Sequence, residues 1–292
     1  MKKNLSFVLS AALGAAVLFS SVFASCRLSS NDKEILVVSF GTSYNSSREA
    51  TIGAIEKVVA KAFPDYTVAR AFTSDTIINI LKKREGIEID NVDEALERAV
   101  SNGVRTLVVQ PTHIMSGFEY SDLRDALSKY EGKFSKVALG EPLLTSDADF
   151  SAVAEAITAG TKKFDDGRTA LCFMGHGTEA ESNSVYGRMQ EVLSSKSFSN
   201  YYIGTVEASP NVEDLLAAIK EKGSYSRVVL FPFMLVSGAH ANEDMAGDQD
   251  DSWKSIFTAA GFDVECVLEG LGQNEAIQQI YVTHVKDALA SL

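Results

Sequence analysis

Histidines recur where apolar, strand-like runs come to an end. The segments are Gln110-Pro-Thr-His113, Met174-Gly-His176-Gly-Thr178 and Ser237-Gly-Ala-His240-Ala-Asn-Glu-Asp-Met-Ala-Gly-Asp248. The chain has four histidines. Three of them stand where a strand gives way to a loop, the usual position of sites in open α/β sheets. Imidazole binds metals and accepts protons near neutral pH. The pattern points to metal chemistry, proton chemistry or both.

His176 lies between Gly175 and Gly177, which let the backbone turn sharply and leave the ring exposed. The plainer alternative is a histidine capping a buried helix end. His240 follows Ser237-Gly238 and precedes Glu243, Asp244, Asp248, Asp250 and Asp251. Carboxylates suit a helix N-terminus, which accounts for Asp250 and Asp251 ahead of Ser252-Trp253 but not for His240. Glu207 closes another run in Gly204-Thr-Val-Glu207-Ala-Ser-Pro210. It is either an exposed loop carboxylate or, lying between the two histidines at a strand end, a third ligand. Two histidines and one carboxylate form a facial set that leaves coordination positions open. No pair shows a short helical ligand spacing such as HExxH. His113 either faces the same cleft or satisfies backbone groups at its turn. His284, inside the last helical pattern, reads as structural. Neither a Walker A motif nor GxGxxG is present, so no nucleotide is implied.

These residues need a scaffold. Continuous Val, Leu, Ile and Phe runs predict strands over 34–40, 67–72, 105–110, 136–139, 169–174, 201–205, 227–233 and 263–268. Helical patterns alternate with them over 47–62, 75–83, 92–101, 121–130, 148–163, 184–193, 212–220, 251–260 and 275–289. That alternation predicts an α/β chain with parallel sheets.

The chain also repeats itself. Leu36-Val-Val-Ser-Phe40-Gly41-Thr42 resembles Leu171-Cys-Phe-Met-Gly-His176-Gly177-Thr178, and Leu107 to Gly117 resembles Val229 to Gly238. In this alignment Phe40 stands opposite His176 and Glu119 opposite His240. Asp166-Gly167 marks the boundary. The expectation is a lobe over 33–165, a second over 166–292 carrying most of the metal site, and an asymmetric site in the cleft between them.

The first residues stand outside that core. Lys2-Lys3 and the apolar run 5–24 predict a signal peptide over 1–25. Val22-Phe23-Ala24 suits ordinary signal peptidase, whereas Ala24-Ser25-Cys26 suits a lipoprotein box with lipid on Cys26. Either predicts an exported, periplasmic protein, the second with a membrane tether. The net charge of -12 argues against nucleic acid as a partner and favours cations. Cys172 and Cys266 lie in separate strand-like runs and read as buried free thiols. Whether copies associate into a homo-oligomer stays open.

Taken together, Ser39-Phe-Gly-Thr-Ser43 with Arg48, Gln110-Pro-Thr-His113, Met174 to Thr178, Gly204 to Glu207, Leu235 to Asp248 with Asp251-Ser-Trp253, Gly270-Leu-Gly272 and Tyr281-Val-Thr-His284 are similar to the single-subunit anaerobic cobaltochelatases of the CbiK type. Those enzymes insert cobalt into sirohydrochlorin without ATP. The likeness runs through nearly all of the chain from about Lys33 and is most specific around His240. It implies the chelatase fold, two Rossmann-like lobes related by a pseudo-two-fold axis with the tetrapyrrole between them. It implies that His176, Glu207 and His240 are the catalytic, metal-binding set and that His176 doubles as a base for pyrrole protons. Phe40, Gly41, Thr42 and His113 become the candidate substrate contacts. The implied activity is a lyase reaction placing a divalent ion, Co2+ first and Fe2+ second, in sirohydrochlorin or a related tetrapyrrole, as in cobalamin biosynthesis. One departure is that Glu179-Ala180-Glu181 follows the Gly-His-Gly-Thr segment where the family often has another histidine. A competing reading is an exported binding protein that captures metal or a haem-like tetrapyrrole without turnover. A purely structural domain would leave the three loop histidines without a purpose.

Overall fold

The computed structural model describes residues 32–292. The predicted signal peptide, its two cleavage readings and Cys26 lie outside the described residues. In chain order the first half runs β1 (Lys33–Ser39), α1 (Asn45–Ala50), α2 (Ile52–Ala62), β2 (Thr67–Phe72), α3 (Asp75–Glu85), α4 (Val92–Ser101), β3 (Thr106–Pro111), α5 (Phe118–Ser128), β4 (Lys136–Leu139) and α6 (Asp147–Thr161). The second runs β5 (Thr169–Gly175), α7 (Ser184–Ser195), β6 (Tyr201–Thr205), α8 (Val212–Lys222), β7 (Arg227–Pro232), α9 (Trp253–Ala259), β8 (Asp263–Cys266) and α10 (Glu275–Ala290).

Each half holds one parallel four-stranded sheet. The orders are β2-β1-β3-β4 and β6-β5-β7-β8, the same arrangement twice. The ladders put the halves in register. Val38 pairs with Pro111 as Met174 pairs with Pro232, and Ser39 with Phe72 as Gly175 with Thr205. Phe40 therefore does occupy the position of His176.

The strands read as unbroken apolar runs because helices cover both faces. Alternate residues of β1 enter different cores: Ile35 and Val37 join one with Phe150, and Leu36 and Val38 join another with Leu96 and Leu123. In β5, Leu171 and Phe173 join the same core as Ile35, while Cys172 and Met174 join a third with Trp253 and Phe257. One face of each sheet thus contributes to a single shared core, and each outer face has its own. The stretches on either side of Asp166-Gly167 belong to one compact unit.

The last helix strengthens that sharing. α10 returns to pack on α2, β3 and α6. Its Tyr281 hydroxyl donates to the buried Thr112 carbonyl at 2.8 Å. His284 sets Nδ1 3.0 Å from the Glu141 carbonyl and Nε2 3.0 Å from Asp149 Oδ1. Burial pushes the Asp149 carboxyl up, but hydrogen bonds from Ser146 and His284 outweigh this and hold it below its usual range. His284 is thus a structural tie.

Three details differ from the sequence expectation. The helix predicted over 47–62 is two, because Thr51 (φ -114°, ψ -78°) turns its Oγ1 onto the Ser47 carbonyl at 2.6 Å and breaks the run. The helix predicted from 251 begins at Trp253, where Ser252 caps it by accepting from Ser255 N at 3.1 Å. Cys172 is a buried free thiol as expected, but Cys266 at the end of edge strand β8 is only half-buried. Among the described residues no helix is long and apolar enough to cross a membrane.

Candidate metal centre

The end of β5 carries the first donor. Ten-tenths of β5 is buried, and the exposed His176 follows at once. Its flanking glycines have separate reasons. A Cβ at Gly175 would stand 2.2 Å from the Tyr186 ring, so this glycine makes room for the aromatic. Gly177 has φ +88°, and a Cβ there would also stand 2.8 Å from Ala208 N. The buried Tyr186 hydroxyl accepts from Gly177 N at 3.3 Å and holds the turn.

The second donor is set by the neighbouring strand. Beyond β6, Val206 N donates to the Gly175 carbonyl at 3.0 Å and Glu207 N to the His176 carbonyl at 2.8 Å. These bonds prolong the ladder and lay Glu207 alongside His176. Thr205 then closes the turn, with N donating to Pro210 O at 2.7 Å and Oγ1 to Ala208 O at 2.6 Å.

The third donor comes from the loop after β7. His240 opens a short π-helical turn, Ala241–Met245. Ala241 and Met245 are buried against the core that holds Trp253 and Phe257. The loop is braced by Asn242 Nδ2 donating to Gly238 O at 2.7 Å, and against the first half by Ser237 N donating to Ser47 Oγ at 2.9 Å.

One ligand atom from each of His176, Glu207 and His240 lies within 4.8 Å of the other two. His176 Nε2 is 3.7 Å from Glu207 Oε1. The imidazole centroids are 4.6 Å apart with their planes at 87°. Nδ1 of His176 faces the Gly177 carbonyl at 2.8 Å, and Nδ1 of His240 faces Asp244 Oδ2 at 2.8 Å. An imidazole nitrogen against an acceptor carries the proton, which assigns the lone pair of each neutral ring to Nε2. The three side chains are 48%, 55% and 36% exposed, open to an arriving ion. Metal bonds of about 2.0–2.2 Å put neighbouring donors roughly 3–3.6 Å apart, so the exposed side chains close by about an ångström around an ion, and three of them leave further positions free.

The other candidates fall elsewhere. His113 is not in this cluster. The residue is partly exposed, but both ring nitrogens are buried and have no hydrogen-bond partner among the described residues. Burial pushes its pKa down to about 4, against an opposing effect of Glu119, so the ring is neutral. Phe40 is 51% exposed. With Glu119, Phe72 and Thr73 it lines a cavity of about 450 Å³. Gly41 (φ +99°) sits against the Phe72 ring, where a Cβ would come within 2.6 Å. Thr42 is buried, its Oγ1 accepting from Tyr44 N at 3.2 Å beside Gly238 of the second half.

Two residues were given no role by the sequence reading. Ser74 N donates to the Phe40 carbonyl at 3.3 Å just as Glu207 N does to that of His176, so Ser74 is the counterpart of Glu207. The first half thus offers Phe40, Ser74 and Glu119 where the second offers His176, Glu207 and His240. Only the strand ladder reveals Ser74, since its side chain caps α3 by accepting from Ile77 N at 3.3 Å. The other is Asp244, whose one signal was its place four residues after His240.

The chain has known counterparts. The cobalt chelatase (CbiK) family model matches residues 33–290. The sirohydrochlorin cobaltochelatase of Salmonella typhimurium is 37% identical over 257 residues, covering 88% of this chain and 96% of the relative. The sirohydrochlorin cobaltochelatase CbiKC of Nitratidesulfovibrio vulgaris is 31% identical over 266 residues, covering 89% and 92%. In architecture the chain is similar to the crystal structure of the sirohydrochlorin chelatase SirB from Bacillus subtilis subspecies spizizenii in complex with cobalt. The TM-score is 0.59 at 12% identity, over 89% of this chain and 96% of that one. A match that spans both sheets and all three donors places the chain in the CbiK cobalt chelatase family.

Proposed function

We propose that this protein inserts a divalent metal ion, Co2+ first and Fe2+ second, into sirohydrochlorin or a close relative without ATP. The observation that carries the reading is the convergence of His176, Glu207 and His240 within 4.8 Å on three loops of one sheet. The relatives that are 37% and 31% identical are named for this reaction and support the choice of metal and tetrapyrrole.

Insertion exchanges two pyrrole N–H protons for one divalent ion, which must also shed water. Two neutral imidazoles and one carboxylate hold such an ion while leaving it a net positive charge and open positions. A stronger set would retain the metal. Protonation of an imidazole competes with metal binding, so uptake of one pyrrole proton by His176 also loosens the ion for transfer, while the second proton passes to water at the open site. Glu207 Oε1, 3.7 Å from His176 Nε2, stabilises the imidazolium that results. The exposed Phe40, which holds the position of His176 in the first half, supplies an apolar face for the macrocycle. Geometry and supply, rather than raw affinity, select cobalt over nickel, copper and zinc.

The proposal includes export. It rests on Lys2-Lys3, the apolar run 5–24 and the Ala24-Ser25-Cys26 exit, with lipid on Cys26 as a membrane tether. Mass analysis of the N-terminus of protein from cell fractions checks it: an intact Met1 in a cytoplasmic fraction would end that part.

The activity is tested by anaerobic absorbance of the purified protein with sirohydrochlorin and Co2+, then Fe2+, without ATP, against a protein-free control. The expected result is acceleration over the control, faster with Co2+. The N-terminal segment favours a second reading, capture of metal or tetrapyrrole outside the cytoplasm. A stable bound spectrum with no accelerated insertion would select it.

A further inference from the structure

The two imidazoles of the centre are anchored differently. His176 Nδ1 faces a backbone carbonyl of its own loop, whereas His240 Nδ1 faces the Asp244 carboxylate. The acidic residues after His240 therefore divide by partner. Asp248 pairs with Lys254 Nζ at 2.6 Å. Asp250 and Asp251 precede the cap of α9. Asp244 pairs with no lysine or arginine among the described residues, and its carboxylate faces the His240 ring at 2.8 Å.

We propose that Asp244 is a positioning residue for the metal centre. Its carboxylate accepts from His240 Nδ1–H, fixes the ring about its terminal torsion and aims Nε2 at the incoming ion. This rests on the chelatase reading for the ligand role of His240. A histidine ring has a broad terminal torsion, and this one is only partly covered by its surroundings. Unheld, it would have to be ordered each time an ion binds, at a cost in affinity. Carboxylate–histidine–metal arrangements recur in metal sites for this reason. His176 needs no such carboxylate, because the turn that fixes its backbone also supplies the acceptor.

The test is Co2+ binding to the purified protein without tetrapyrrole, read by calorimetry and by the visible absorption of bound cobalt. Asp244→Ala is expected to weaken Co2+ affinity about 10- to 100-fold, the usual effect of removing such a partner. Asp244→Asn keeps an oxygen that accepts the same hydrogen bond and is expected to restore most of that affinity and the wild-type cobalt spectrum. In the metallation assay Asp244→Ala should raise the half-saturating Co2+ and leave that for sirohydrochlorin unchanged. Wild-type affinity in Asp244→Ala would overturn the proposal. So would an Asn variant as weak as the Ala variant, since charge and not positioning would then be at work. Unchanged affinity in His240→Ala would remove the ligand on which Asp244 acts and sink both readings. A wild type that binds Co2+ but accelerates no insertion would sink the chelatase reading alone, and the affinity ratios would still decide Asp244.

Discussion

At the scale of single residues, His176 and Glu207 are exposed and His240 is half-buried, all outside the hydrophobic cores, so their loss should touch chemistry and not folding. His176→Ala and His240→Ala are expected to reduce metallation to the protein-free rate, with unfolding free energies within about 0.5 kcal/mol of wild type, as for surface substitutions. Wild-type rates in both would refute the site. Glu207→Gln should weaken Co2+ binding more than tetrapyrrole binding, and equal losses would contradict a ligand role. His113 behaves in the opposite way. Its ring is held neutral with a pKa of about 4, against 6.5 when free. Below pH 6.5 the unfolded chain takes up a proton that the folded chain refuses, so stability falls as pH drops from 6.5 towards 4, by about 3 kcal/mol in all. His113→Leu should flatten that slope in denaturation curves measured between pH 7 and 5. An unchanged slope would show that His113 is not the buried neutral group.

At the scale of elements, the glycine beside His176 has two tasks that can be separated. Gly86 ends α3 at φ +68° with nothing within 4 Å of an added Cβ, whereas Gly177 combines φ +88° with a collision at Ala208 N. Gly86→Ala should cost about 1–2 kcal/mol for the left-handed backbone alone and leave Co2+ affinity untouched. Gly177→Ala should cost more in chemical denaturation and also weaken Co2+ binding, because it pushes on the turn that carries Glu207. Equal costs, with Co2+ binding intact in both, would show that the turn does not position the donor. The strand assignments needed no tertiary information, because continuous apolar runs mark strands buried on both faces. The break at Thr51 was not legible, since a threonine within an amphipathic pattern does not announce that its hydroxyl will bond to the preceding turn.

At the scale of the molecule, one core takes a face from each sheet, and α10 closes on the first half from the end of the chain. Residues 32–292 should therefore unfold in a single transition by far-ultraviolet and near-ultraviolet signals together. Two resolved transitions would show the halves to be independent. Tyr281→Phe removes the buried bond to Thr112 O and should cost about 1–3 kcal/mol by leaving that carbonyl unpaired. Co2+ affinity should not change, because neither Tyr281 nor Thr112 belongs to the donor set. The internal repeat foretold two similar sheets. It did not foretell α10, because a helical period says which face is apolar and not which partner covers it.

The sequence by itself determined the α/β class, the placing of the strands and the presence of His176, Glu207 and His240 at strand ends, since local apolar pattern and turn chemistry write these directly. Tertiary structure alone decided that the three meet. β5 lies between β6 and β7, so loops far apart along the chain become neighbours, and strand order leaves no trace in periodicity. It also decided that His113, a strand-end histidine in sequence, is a buried neutral ring outside the cluster. What separates these histidines is which neighbours pack around each imidazole, a property of the assembled sheets.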